Sequence, residues 1–80
     1  GKSVRRERVL FADDNSDMRE YIARLLSERW DVEVVSNGRE ALEAARREAP
    51  DLILSDAMMP ELDGFALLGE VREDVGLRGV

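Results

Sequence analysis

The sequence contains no cysteine and no histidine. Without cysteine there is no disulfide and no thiolate metal site. Without histidine there is no imidazole-based catalytic triad, no histidine-ligated zinc and no phosphohistidine within this chain. Aromatic residues make up only 5% of the chain, too few to line a sugar-binding cleft. No apolar run approaches the roughly 18–20 residues that span a bilayer, and no signal peptide is visible. A cytoplasmic location without membrane contact is therefore expected. The chain begins with Gly1 rather than Met, which suggests an excised or processed piece.

Hydrophobic residues make up 44% of the 80 positions and charged residues 38%, the balance of a globular chain. The length suits one small domain, which buries roughly 60–65% of its unfolded surface. The net charge of −6 repels phosphate backbones, so direct nucleic-acid binding is not expected. The basic cluster Lys2, Arg5, Arg6 and Arg8 reads as a solvated linker, with residues 1–7 outside the domain.

Arg8 to Ala12 (RVLFA) reads as a short strand, its consecutive apolar residues suiting cover on both faces. Residues from about Ser16 to Arg29 read as a helix with Met18, Tyr21, Ile22, Leu25 and Leu26 on one face. Asp17 with Glu20 forms a candidate capping box, with Asn15 and Ser16 as rival caps. Asp31 to Ser36 alternates like a strand. Asn37-Gly38 alone suggests a hairpin turn. The helical REALEAARREA that follows makes Asn37 an N-cap instead, with Glu40 three residues on. Ala41, Leu42, Ala45 and Ala49 give this helix a narrow face, and Pro50 ends it. Asp51 to Ser55 reads as a third strand, ending at Asp56. A loop with Pro60 and Asp63-Gly64 leads to a third helix marked by Phe65, Leu68 and Val71, running to about Glu73. The closing GLRGV reads as leaving that helix. The order β-α-β-α-β-α with short loops predicts an α/β domain with a parallel sheet.

Asp13-Asp14 follow the first strand and Asp56 ends the third. Strands of a parallel sheet finish at one edge, about 5 Å apart if they are neighbours. Three carboxylates would then meet where open α/β sheets place ligands. Such a group needs a proton or a cation among its members. With only hard oxygen donors to hand, magnesium suits best, held by one or two carboxylates, a backbone carbonyl and waters. The plainer alternative is structural: an Asp before a helix caps it, and an Asp after a strand starts a turn. Trp30 suits a partly buried anchor at a helix end.

The stretches LFADDNSDMREYIARLL and VVSNGREALEAARREAPDLILSDAMMPELDGFALL, with their spacing, resemble the receiver domain of two-component response regulators. The acidic pair after the first strand, the aspartate ending the third and the following MMPELDG carry the resemblance. It implies a flavodoxin-like sheet in strand order 2-1-3 over residues 8–80, and a module that catalyses at most its own phosphorylation. It further implies that Asp56 is the phosphoacceptor, taking a phosphoryl group from a histidine on a partner kinase or phosphotransfer domain. Asp14 would ligate Mg2+ directly, Asp13 through water or by orienting the others, and Met58 through its backbone carbonyl. Pro60 and Gly64 would shape the loop, and the Met58 and Met59 side chains would pack it. The ADDNSDMREYIARLL run behind a basic stretch is similar to receivers of hybrid sensor histidine kinases.

The sequence departs from the family in one respect. Family members have five strands, a Ser or Thr ending the fourth and a Lys after the fifth. Here the sequence stops where a fourth strand would begin. Threonine is absent, Lys2 is the only lysine, and the five serines lie at or before Ser55. Weak magnesium binding with poor or no phosphotransfer by this chain alone is expected. A non-signalling α/β fragment and a plain magnesium-binding module stay open as alternatives. The third strand would form an open edge carrying Leu52, Ile53 and Leu54, so self-association is expected.

Overall fold

A computed structural model describes residues 6–56, 62–77, 79 and 80. Three strands, β1 (Arg8–Ala12), β2 (Asp31–Val35) and β3 (Leu52–Ser55), alternate with three helices, α1 (Ser16–Leu26), α2 (Gly38–Arg47) and α3 (Gly64–Glu73). The sheet is parallel in the order β2-β1-β3, as expected. Leu10 of β1 lies between Glu33 and Ile53, and Ala12 between Val35 and Ser55. Val9 to Ala12 are buried, which explains the unbroken apolar run: β1 is the central strand and is covered on both faces.

Leu10 and Ala12 point toward α2 and α3 and share a core with Ala41, Leu42, Ala44, Ala45, Leu67 and Val71. The alanines keep the α2 surface low, so α3 and the sheet approach it closely. Burying Leu10 or Leu67 fully stabilises the fold by about 1.5–3 kcal/mol each. Ala44 joins this face, whereas Ala49 lies beyond the helix and is exposed. The Asn37 cap is as expected: its side-chain oxygen accepts from the Glu40 N–H at 2.9 Å. The Glu40 carboxylate reaches back to the N–H and hydroxyl of Ser36, both at 2.9 Å. Three donors at the helix entry are thereby satisfied, in the manner of a capping box. Gly38 is packed so closely on Leu62 that any Cβ there would overlap the Leu62 carbonyl.

Several expectations are corrected. Helix α1 stops at Leu26 instead of Arg29. The Arg29 and Trp30 N–H groups both turn back to the Leu26 carbonyl, at 3.1 and 3.0 Å. The Arg6 guanidinium donates to the carbonyls of Ser27, Arg29 and Trp30, satisfying acceptors that a further helical turn would have used. The α1 cap is Asn15, which accepts from Met18 at 3.0 Å, rather than an Asp17–Glu20 box. On α3 the buried positions are Leu67 and Val71, four apart along one row against α2, whereas Phe65 is 74% exposed and Leu68 47%. The chain does leave α3 after Glu73, as expected, but Leu77, in a short 3-10 turn, is buried in the same core.

The described part of the basic cluster is also not a solvated linker. Arg8 donates to Glu33 at 2.5 Å and to the Glu48 carbonyl at 3.2 Å. Arg47 of α2 reaches the other Glu33 oxygen at 2.6 Å. Asp51 accepts from the Arg8 N–H at 2.7 Å. One carboxylate on β2 therefore ties β1 to α2. The Arg8 hydrogen bond above all, then that of Arg47 and both positive charges, hold the Glu33 carboxyl below its ordinary range despite partial burial.

Because the Glu33 value is lowered by folding, its contribution is fully present above the unfolded value of 4.5 and is lost as pH falls through the folded value. Urea midpoints should fall as pH drops below that region, and Glu33→Gln should flatten the decline while lowering stability at pH 7. A second expectation concerns Gly38→Ala, which should destabilise by about 1–3 kcal/mol through overpacking against Leu62. Chemical denaturation of the variant against the native chain measures it directly.

Candidate functional site: three carboxylates at the sheet edge

The hydrogen-bond ladders run one residue past β1 and β3. The Asp13 N–H donates to the Val35 carbonyl at 3.2 Å, and the Asp56 N–H donates to the Ala12 carbonyl at 3.0 Å. Asp13 and Asp56 therefore sit at neighbouring strand ends, held by sheet backbone and not by flexible loop. One ligand oxygen each from Asp13, Asp14 and Asp56 lies within 4.8 Å of the others. Asp13 and Asp56 are half-buried and Asp14 is exposed, so the cluster opens to solvent on one side. Met58 and its carbonyl lie outside the described residues.

The surroundings of Asp13 are tightly specified. Its Oδ1 accepts from the Asn15 N–H at 2.9 Å, an Asx turn leading into α1. Its backbone carbonyl accepts from the Arg19 guanidinium at 2.8 Å. Asn15 in turn accepts the Arg19 N–H at 3.0 Å through its carbonyl. The first turn of α1 thus both begins and buttresses the acidic pair. On the β2 side, hydrogen bonds from the Ser36 backbone and hydroxyl, helped by the positive charge of Arg19, hold the Glu40 carboxyl below its ordinary range. Beside β3, the Ser55 hydroxyl donates to the Asp56 carbonyl at 2.9 Å. Asp63, at the far end of the β3–α3 connection, caps α3 by accepting from Ala66 at 2.8 Å.

Sequence reasoning missed Arg19. The signal was present: Arg19 lies four residues after the cap Asn15, one turn along the same helix face. It was obscured because the acceptor is a backbone carbonyl, which no side-chain pattern reveals.

The cluster offers carboxylate oxygens only. Mg2+ takes oxygen ligands at about 2.0–2.1 Å, so two of its ligands stand at most about 4.2 Å apart. The three oxygens, within 4.8 Å of one another, are gathered on that scale. The donor set fits a hard divalent cation.

A family model for the response regulator receiver domain matches residues 9–77. The chain belongs to the receiver family. Among solved structures, the signal receiver domain of a signal transduction histidine kinase from Syntrophus aciditrophicus is 37% identical. It superposes with a TM-score of 0.84 over 90% of this chain and 55% of that one. The chemotaxis response regulator CheY4 of Vibrio cholerae is 33% identical, with a TM-score of 0.85 over 89% of this chain and 60% of that one. The sensor histidine kinase TmoS of Ectopseudomonas mendocina is 44% identical over 66 residues, 82% of this chain and 7% of that protein. The three strands in the order 2-1-3 with three helices are the flavodoxin-like receiver fold over part of its length. The chain spans less than two thirds of the length of each of these relatives. Receiver domains bind Mg2+ at an acidic pocket, and this one has a matching cluster of aspartates. They pair with histidine kinases or phosphotransfer domains in two-component signalling. No described helix is long and apolar enough to cross a membrane.

Proposed function

We propose that this receiver domain is a phosphoacceptor module in which Asp56 takes a phosphoryl group from a phosphohistidine of a kinase or phosphotransfer partner. The observation that carries this reading is the convergence of Asp56 with Asp13 and Asp14, their ligand oxygens within 4.8 Å. An Asp56 carboxylate oxygen attacks phosphorus; the new O–P bond forms as the P–N bond to the imidazole breaks, and the electron pair leaves with the histidine nitrogen. The backbone bond to Ala12 holds the nucleophile at the mouth of the sheet. Asp14, the exposed member, and Asp56 would ligate Mg2+ directly. Asp13, anchored by Asn15 and Arg19, would ligate through water or orient the other two, and the Met58 carbonyl would complete the protein ligands. When bound, the cation supplies positive charge that offsets the acidic pocket and the transferring phosphoryl oxygens. Within these 80 residues there is no threonine and the only lysine is Lys2, so the basic side of the family's site is not supplied by this stretch. Losing one preorganised donor costs about 2.7–4 kcal/mol of transition-state stabilisation. The net charge of −6 argues against a nucleic-acid partner for this segment.

The test joins the chain, after Val80, to the remaining part of a complete receiver from its fourth strand onward. With Mg2+ and a small-molecule phosphodonor, the folded chimera should gain one phosphoryl group on Asp56 by mass spectrometry, and Asp56→Asn should gain none. The 80-residue chain alone should gain little. A folded chimera that binds Mg2+ and takes no phosphoryl group would point to a plain magnesium-binding module, and stoichiometric labelling of the short chain would show that the basic side is dispensable.

We also propose self-association through β3. Among the described residues, β3 pairs only with β1. Leu52 and Leu54 are 48% and 38% exposed, and the strand contains neither lysine nor proline to discourage edge pairing. Grooves of about 260 and 220 Å³ flank it, one against α3 and one beside Trp30. Light scattering should give a mass that rises with concentration above the 9.0 kDa of one chain; a constant monomer mass up to millimolar concentration excludes the idea.

A further inference from the structure

We infer that Arg19 is a positioning residue of the acidic site: its guanidinium, gripping the Asp13 carbonyl, sets how Asp13 and Asp14 present their carboxylates to a divalent cation. The inference rests on the reading of the three aspartates as a magnesium site.

Asp13 is fixed at three points. Its N–H is held by Val35 of the sheet, its Oδ1 by the Asn15 N–H, and its carbonyl by Arg19. The first two bonds fix the strand side of the residue. The third fixes the peptide plane between Asp13 and Asp14, and with it the direction in which Asp14 leaves the strand. Arg19 is itself half-buried and rooted in the first turn of α1 by the Asn15 carbonyl. Its charge also acts on Glu40, whose carboxylate holds the chain after β2 through Ser36. Arg19 contacts the loop after β1 through its hydrogen bond to the Asp13 carbonyl; toward Glu40 only its charge acts. The guanidinium is suited to this, offering several donors in a rigid plane where an ammonium offers a point charge.

Charge and geometry make opposite demands, which makes the role testable. A cation beside the site repels Mg2+, so if charge alone mattered, removing Arg19 would tighten binding. If Arg19 positions the ligands, removing it weakens binding, and keeping the charge without the planar fork weakens it too. Mg2+ titrations of the native chain, Arg19→Lys and Arg19→Met, followed by amide NMR shifts with far-UV circular dichroism as the fold control, separate the cases. Loss of a group that orients a metal ligand weakens affinity about tenfold or more, and we expect that in both variants. Tighter binding by Arg19→Met with Arg19→Lys unchanged, or no change in either, would overturn the assignment. If Arg19→Met does not fold, Arg19→Lys decides alone: weakened binding supports the role and native affinity refutes it. Absence of Mg2+ binding by the native chain removes the metal reading and this inference together, whereas native binding with unaffected variants removes this inference only.

Discussion

The two hydrogen bonds that extend the sheet beyond Ala12 hold the site in place. One runs from Asp13 to the end of β2 and the other from Asp56 to the end of β1, so the acids stand on the last rungs of two adjoining ladders. Ala12 itself is fully buried between Val35 and Ser55. A shift of one residue in either register would send every side chain beyond it to the opposite face. The position of the carboxylates therefore depends on the packing of β1 several residues away. Leu10, which locks that register by filling the space under α2 and α3, acts on the site through backbone alone.

At the opposite end of the sheet the same strand is secured by charge. Arg8, Glu33, Arg47 and Asp51 join β1 to β2, α2 and the start of β3. The two ends use acids differently. Glu33 is compensated by two arginines within the chain, whereas Asp13, Asp14 and Asp56 stand together at an edge open to solvent. That contrast separates a carboxylate shared between two strands and a helix from a cluster gathered at the open sheet edge. Sequence alone does not draw it, because both kinds lie next to strands.

What could be read from the sequence was whatever depends on neighbours along the chain. The Asn37–Glu40 cap, the buried run of β1, the β-α alternation and the strand-end aspartates all belong to local pattern. Parallel alternation then brought Asp13, Asp14 and Asp56 to one edge. Features set by distant partners were not legible. Arg6 looked like linker until its carbonyl acceptors at the end of α1 were in view. Phe65 looked like core and Leu67 did not, because the rotation of α3 is fixed by Asp63 and by the low alanine surface of α2. Leu77 follows the helix in a stretch with no apolar period, and its burial comes from closing back on α2 and α3.

The Asn37-Gly38 pair has a chemical as well as a structural side. In a flexible chain an asparagine before glycine is prone to cyclise, its side-chain carbonyl carbon being attacked by the next backbone nitrogen, and then to open as a carboxylate. Here Asn37 is 8% exposed, its oxygen is committed to the Glu40 N–H, and Gly38 is locked against Leu62 in the first helical turn. Those contacts restrain the rotations that ring closure needs. The Asn37-Gly38 pair is thus shielded while the start of α2 stays wound. Any deamidation at Asn37 would then count the time a molecule has spent with that turn open.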